Sequence, residues 1–495
     1  MKRHADTPRR LPASIAATVT TATAIALAAC STPPSGHVPA LDVPASWRNA
    51  PNATDGQTPA DPTSPAAAIA PDWWRAFGSV ELSELVAQAQ ANSFDVAAAA
   101  ARVRQAQAQA RIAGAALLPD VSLAANVQRF KEPQETVSGF YNLQLFASYE
   151  VDIWGGNAAL RDSARAALLS TAYARDAITL TVVATVANTY LQTVALRERV
   201  TIAQRNLDNS ERILALVSSR ARAGAATPLE VAQQRGLVAT QRQELALRTQ
   251  QSRASLATLA TVLGRPTEGF DIAATTLAGI AAPTAATGVP SELLARRPDL
   301  AQAERALAAA DADITVARAA MLPTLTLTAG AGAGAEHVRN LFDTSLYNLA
   351  AGLVVPIFNA GRLSAGRDLA VARREELLAA YRGAIVNAFG DVETALAAAD
   401  GVAAQRAAQD EALAQASEAV RLAESRYRAG AETLLTLLDA QRTLYAAQDQ
   451  QIQLNLSQRQ SSVALYRALG GGWRTTPSEN TPIATDSTRC GLCKS

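Results

Sequence analysis

The chain has 495 residues, with 45 basic against 44 acidic side chains and a net charge of +1. That balance leaves no basic surface for nucleic acid, and the three histidines, His4, His37 and His337, are scattered along the sequence and form no metal-ligand motif. Hydrophobic content is 49% but aromatics are only 5%, and long stretches are dominated by Ala, Gln, Leu, Arg and Glu, a composition of long or coiled helices.

Residues 1–29 read as a signal peptide. "MKRHADTPRR" is a basic start, Leu11 to Ala29 is a weakly apolar run, and the run ends in "LAAC". The ending resembles a bacterial lipobox. That resemblance implies cleavage before Cys30 and acylation of its thiol and new amine with palmitate-type lipid. An ordinary signal peptide with an incidental cysteine is the alternative. Aspartate at position 31 would resemble an inner-membrane retention signal; the residue is Ser31, which favours the outer membrane. Acyl chains contribute about 0.8 kcal/mol per buried CH₂, so several anchor stably. Residues 30–70 are rich in Pro, Ala, Ser and Thr and form an extended linker. No later stretch has 18 uninterrupted apolar residues, so no transmembrane helix is expected. Cys490 and Cys493 have redox or metal-pair spacing in "CGLC", but no second pair or nearby histidine supports either, and 472–495 reads as a tail.

From "DWWRAFGS" at Asp72 the chain is written twice. "FDVAAAAARVRQAQAQARIAGAALLPDVSL" from Phe94 parallels "PDLAQAERALAAADADITVARAAMLPTLTL" from Pro298. Asp95 meets Asp299, and Leu118-Pro119 meets Leu322-Pro323. "YEVDIWGG" parallels "LVVPIFNAG" after a two-residue insertion, and Gly224 then meets Gly430. Register held through both halves means duplication, and two such long copies do not make a solenoid. The repeats are set at 71–265 and 291–471, with a connector at 266–290.

Each repeat predicts the same elements in the same order. A helical segment comes first, over 80–116 and 291–320. Two strands follow. Val121, Leu123, Ala125 and Val127 alternate with Ser122, Ala124, Asn126 and Gln128. Tyr141, Leu143, Leu145, Ala147 and Tyr149 alternate with Asn142, Gln144, Phe146, Ser148 and Glu150. Such alternation means strands with unlike faces. Gly330, Gly332 and Gly334 share one face, as where a sheet bends tightly. Then a proline-free run from Asn157 to Arg222 predicts a rod of roughly 100 Å at 1.5 Å per residue. Its seam is Val200, Ala203, Leu207, Ser210, Leu214, Val217 and Ala221, with Leu413, Ala416, Val420, Ala423 and Tyr427 in the second copy. Gly224 and Gly430 suit the rod's C-terminus, and Thr227-Pro228 suits the start of a returning helix. Each copy of "RAGA" is thus the tip of a helical hairpin.

Two isolated two-stranded ribbons cannot bury their apolar faces or satisfy their edges. Three chains of four strands each would give 3 × 4 = twelve, within the range of membrane barrels, and strands of about ten residues match a bilayer. Phe130, Phe140, Tyr141, Tyr149, Trp154, Phe342, Tyr347 and Phe358 cluster near strand ends, as interfacial girdles do. A small soluble β-domain on a coiled coil is the alternative.

"DWWRAFGS", "YEVDIWGG", "LLARRPDLAQAERAL", "VPIFNAGR" and "RYRAGAETLLTLLDAQR" together resemble the outer-membrane-factor family, the TolC-like exit ducts, in their OprM-like lipoprotein branch. The resemblance spans about residues 70–473. It implies an α+β membrane protein: a trimeric twelve-stranded transmembrane barrel, continued by an α-helical coiled-coil tunnel in the periplasm, with a small mixed equatorial domain. The implied partners are two further copies of the chain, a periplasmic adaptor, an inner-membrane RND transporter and outer-membrane lipid. The implied function is passive exit of drugs or other toxic compounds. The resemblance also carries a periplasmic gate onto Leu435, Asp439 and Arg442, with Tyr427 and Arg428 as a latch. Spacings of four and three put the first three on one helix face. Threefold symmetry would make Asp439 a carboxylate ring and Leu435 a ring resisting wetting. Adaptor docking falls on Arg222, Ala223, Gly224 and Ala225 and on Arg428, Ala429, Gly430 and Ala431. One departure is "WGGNAALR", which lacks the family's arginine after the strand and leaves the ion pair there in doubt. Rival readings are a type I protein-secretion duct and a non-conducting coiled-coil lipoprotein. No enzyme is expected, because no phosphate loop, metal cluster or nucleophile elbow is present.

Overall fold

The duplication is visible in the order of elements. The computed structural model describes residues 43–49, 69–130 and 138–474; Cys30, Cys490 and Cys493 lie outside the described residues. The first half runs α1 (Val80–Asn92), α2 (Phe94–Ala115), β1 (Asp120–Phe130), β2 (Ser138–Val151), α3 (Gly156–Arg222) and α4 (Pro228–Val262). The second runs α5 (Pro290–Arg296), α6 (Pro298–Ala319), β3 (Thr324–Ala335), β4 (Ser345–Val354), α7 (Arg362–Arg428) and α8 (Leu434–Ala468). The long helices α3 and α7 have 67 residues each, and the returning helices α4 and α8 have 35 each. At 1.5 Å per residue the long ones are rods of ~100 Å.

The first rod starts where Asp152 caps it. One carboxylate oxygen accepts from the Asn157 amide at 3.0 Å and the other from the Ala158 amide at 2.8 Å. These satisfy donors that a helix start leaves orphaned, and place negative charge at the positive end of the dipole. Further along, the buried seam is Ala203, Leu207, Ser210, Ile213 and Val217. Ile213 takes the place expected of Leu214, which is half-buried. A straight helix drifts about 20° per heptad against a 3.5-residue repeat, so the contact line slides to the neighbouring position. In α7, Ala416, Ala423 and Tyr427 are buried as expected, while Leu413 and Val420 are half-buried. One 18-residue window of α3 is, by length and composition, apolar enough to cross a membrane, although polar residues interrupt it. Half of that window is buried inside the fold, as in a core helix.

The four strands form a single antiparallel sheet in the order β1-β2-β3-β4. Register pairs Leu123 with Leu145, Leu143 with Ala333 and Ala329 with Leu349. Odd-numbered apolar residues therefore share one face across all four strands.

Midway along the rods, near Tyr190 and Glu198 of α3, the connector after α4 is bound to helices from both halves. Leu277 and Ile280 are buried, and the Ala281 amide donates to the Phe77 carbonyl at 2.9 Å. Arg459 of α8, 9% exposed, donates to the Leu277 and Ile280 carbonyls, both at 2.9 Å, and to the Asn455 carbonyl at 2.7 Å. Burial, and then the neighbouring Arg406, pull its pKa below the ordinary arginine value. Glu81 of α1 accepts from the Ala274 amide at 3.1 Å and from the Tyr190 hydroxyl at 3.0 Å. Burial pushes the Tyr190 phenol up to about 12, so it stays a donor. The short described segment 43–49 is strapped here as well. The Trp47 indole donates to the Gly288 carbonyl at 2.9 Å, and the Arg48 and Asn49 amides donate to the Glu393 carboxylate at 2.7 and 3.1 Å.

Replacing Arg459 with Met leaves buried carbonyls unpaired, at about 1–3 kcal/mol each. Arg459→Met is therefore expected to make the connector between Arg265 and Pro290 cleavable by proteinase K under conditions where the wild type resists. An unchanged cleavage pattern would mean that apolar packing alone holds the connector.

Candidate functional site

The sheet has two unlike faces. One carries Val121, Leu123, Val127, Leu145, Leu327, Leu349 and Leu353, between 41% and 84% exposed within the chain. The other carries Ser122, Asn126, Gln128, Asn142, Gln144, Ser148, Thr324, Thr326, Thr328 and Asn348. Tyr149 stands near the helix end of the apolar face, and Tyr141 and Tyr347 stand towards the far end. That is the layout of two interfacial aromatic belts. Phe140 departs from the expected girdle. It follows the even-numbered residues onto the polar face, because successive residues on a strand point to opposite sides. Trp154 is engaged inside the fold, its indole donating to the Pro323 carbonyl at 2.7 Å. Phe342 and Phe358 are 78% and 88% exposed.

The two hairpin tips are near copies of each other. The Ala225 amide donates to the Arg220 carbonyl at 2.8 Å, and the Ala431 amide to the Arg426 carbonyl at 2.9 Å. Both wrap around a left-handed glycine, Gly224 at φ 74° and Gly430 at φ 76°. This is a Schellman stop, for which a residue without Cβ is suited. Arg222, Ala223, Gly224 and Ala225 are exposed, as are Arg428, Ala429, Gly430 and Ala431. The helices that follow start differently. Thr227 and Glu230 form a reciprocal capping box, with amide-to-oxygen distances of 3.2 and 2.6 Å. Thr433 accepts from the Thr436 amide at 3.4 Å without a reciprocal box, its own amide donating to the adjacent Glu432 carboxylate at 3.2 Å.

On α8 the structure brings Leu435, Asp439 and Arg442 onto one exposed face; Leu435 is 63% exposed. Leu434, Leu437, Leu438 and Gln441 are buried behind them. Among the described residues no ion pair joins Asp439 to Arg442. Tyr427 and Arg428 have different partners within the chain. Tyr427 is 1% exposed in an apolar cluster with Ile213, Val217, Leu237 and Leu437. Arg428 pairs with Glu424 on its own helix.

Sequence reasoning missed what holds Tyr427. Arg220 of the first hairpin lies over its ring, 4.7 Å from the centroid, and donates to its carbonyl. It also missed a second tie between the hairpins. Arg199 of α3 grips Asp449 of α8 with two bonds of 2.6 and 2.8 Å, and Arg248 of α4 approaches the same carboxylate at 3.5 Å. Gln453 donates to it at 2.7 Å. Charge alone does not single out these residues among 45 basic ones. Between the two ties lies a buried polar layer, in which the Gln234 amide donates to the Ser210 carbonyl at 2.9 Å and the Ser210 and Tyr445 hydroxyls are 3.1 Å apart.

A two-faced sheet, rods of this length and twin hairpin tips define a channel-forming outer-membrane protein. The family model described as outer membrane efflux protein matches residues 85–265 and 289–471. The chain belongs to that family: it is an outer-membrane efflux protein whose helical part extends into the periplasm. It is 49% identical to the pyoverdine export outer membrane protein OpmQ of Pseudomonas putida, over 91% of this chain and 96% of that one. The OpmQ of Pseudomonas aeruginosa is 47% identical, over 91% and 95%. Among solved structures, the open state of the MtrE outer membrane channel of Neisseria gonorrhoeae superposes with a TM-score of 0.78. It is 28% identical, over 90% of this chain and 99% of that one.

The unequal caps make a testable difference between the tips. Thr227→Ala removes a capping box and should destabilise the first turn of α4 by about 1 kcal/mol. Amide exchange at Leu229–Val231 should speed up several-fold. Thr433→Ala, which removes one longer bond, should have the smaller effect on α8.

Proposed function

We propose that the protein is the outer-membrane exit duct of a tripartite efflux system and acts as a homotrimer. The observation that carries this reading is the sheet, with one apolar face, one polar face and edges at β1 and β4 that pair with no strand among the described residues. Strands alternate in direction, so β4 of one copy meets β1 of the next antiparallel. Three copies close into 3 × 4 = twelve strands, within the 8 to 26 or so typical of such barrels. The apolar face then meets lipid and the polar face lines water. The rods of three copies continue the wall into the periplasm, and the connector with the chain ends forms an equatorial belt. Lipid on Cys30 anchors each copy beside the barrel.

Leu435, Asp439 and Arg442, exposed on one face of α8, form the periplasmic constriction when three copies converge. Tyr427 and Arg428 latch it, with Arg220 holding Tyr427 from the first hairpin. Six hairpin tips, two per chain, present "RAGA" turns to a periplasmic adaptor, which joins the duct to an inner-membrane RND transporter. Cargo passes passively. Its class is pyoverdine or a related secreted compound, because relatives at 49% and 47% identity are pyoverdine exporters.

Electron microscopy of the detergent-purified mature protein tests the duct: a threefold particle with a hollow stalk is expected, and a monomer or solid rod overturns it. Asp439→Ala and Arg442→Ala should each raise single-channel conductance; no change in either removes the gate assignment. Expression in a Pseudomonas strain lacking its pyoverdine-exporting relative should restore pyoverdine to the medium. Channel activity without restoration would keep the duct and discard the cargo.

A further inference from the structure

On the polar face of the sheet, one hydrogen bond passes over an entire strand. The Gln144 amide of β2 donates to the Asn348 side-chain oxygen of β4 at 3.1 Å, with β3 lying between them. Strands are about 4.8 Å apart, so the two backbones stand roughly 10 Å from each other. The bridge forms because Gly330, paired with Asn348, and Gly332, paired with Gln144, have no side chains to block it. A Cβ on Gly330 would fall 2.1 Å from the Asn348 oxygen and 2.7 Å from the Gln144 nitrogen. The amides therefore lie flat, directly over Gly330. Four residues further from the rods along β3, Phe140 and Leu346 fold over Gly334 in the same way, 3.0 and 3.2 Å from where its Cβ would be. Gly332 has another reason for its size, since a Cβ there would meet the Leu143 carbonyl at 2.3 Å.

We infer that Gln144 and Asn348 set the bore of the outer half of the barrel, their bridge being the surface that bulky cargo slides past. This rests on the proposed barrel, in which the even-numbered face is the lumen. Large side chains that would otherwise project into the bore are folded into a recess along β3, three times per trimer. Between Asp120 and Glu150 at the helix end and the far ends of the strands, no described residue of this face is charged. What the wall can select there is width. A side chain at position 330 evicts both amides towards the axis, whereas removing the amides deepens the recess.

The test reads the outer bore without passing the periplasmic gate. Ala350, on the same face and two residues nearer the rods, is changed to Cys in full-length protein carrying Cys490→Ala and Cys493→Ala. Intact cells are treated from outside with a small methanethiosulfonate and with a bulky maleimide-polyethylene glycol. In the Gly330→Val background, the bulky reagent should slow at least fivefold while the small one is unchanged. In the Gln144→Ala, Asn348→Ala background the bulky reagent should speed up. Heat-resistant oligomer on gels checks assembly of each variant, and the alanine pair keeps the test alive if Gly330→Val does not assemble. Equal bulky-reagent rates in assembled variants overturn the inference and leave the barrel standing. A cysteine at 350 that even the small reagent cannot reach in assembled protein overturns the barrel reading itself.

Discussion

The unpaired edges of the sheet are the constraint on which everything else depends. β1 and β4 each present a row of backbone donors and acceptors with no strand partner among the described residues. In a bilayer such groups cost several kcal/mol each, so an open sheet cannot remain there. The apolar face adds its own demand, since Leu349 and Val127 are 84% and 67% exposed in the isolated chain. In the proposed barrel, lipid satisfies the face, and closure with further copies satisfies the edges. The rods follow from the same demand, because each strand pair leaves and re-enters on the helix side. A carboxylate cap at Asp152 converts the end of β2 directly into the start of α3, leaving little slack where barrel becomes tunnel.

Duplication gives the molecule near-equivalent halves, and the ties between its hairpins lie where the halves differ. The tip turns match almost bond for bond, because a tight helix stop is a local event that glycine and a returning amide complete alone. The ties between the hairpins have no such twin. Arg220 reaches Tyr427, and Arg199 with Arg248 hold Asp449, each in one direction only. Two fastened levels with a buried amide and hydroxyl layer between them describe hairpins that are aligned by polar contacts as well as by apolar packing. Such layers specify register at some cost in stability. That suits a tunnel whose family includes a channel solved in its open state.

Much of this was legible in the chain because it is periodic or local. Period two placed Leu123, Leu143 and Leu145 on one face, and pairing register could only add them together. Thr227 before Pro228, and Gly224 after Arg222, announced the hairpin turn. The misses have physical causes. Leu214 lost its seam position to Ile213 because a heptad read on paper does not drift as a straight helix does. Phe140 was grouped with the girdle by its nearness to the strand end, although its parity put it on the other face. Arg459 left a faint signal that went unread: it sits four residues before Val463 and three after Leu456, a charged group in the middle of a buried stripe.

By itself the sequence determined the repeat, the rods, the two-faced strands and the twin tips, because each depends on neighbours within a turn or a strand. Only the tertiary structure decided which long-range partners meet. It put Arg459 under the connector, Arg220 over Tyr427, Glu393 under the Trp47 strap and Gln144 beside Asn348 across Gly330. Those contacts span 179 to 345 residues, and no local pattern records them, because they arise where independently formed elements are brought side by side.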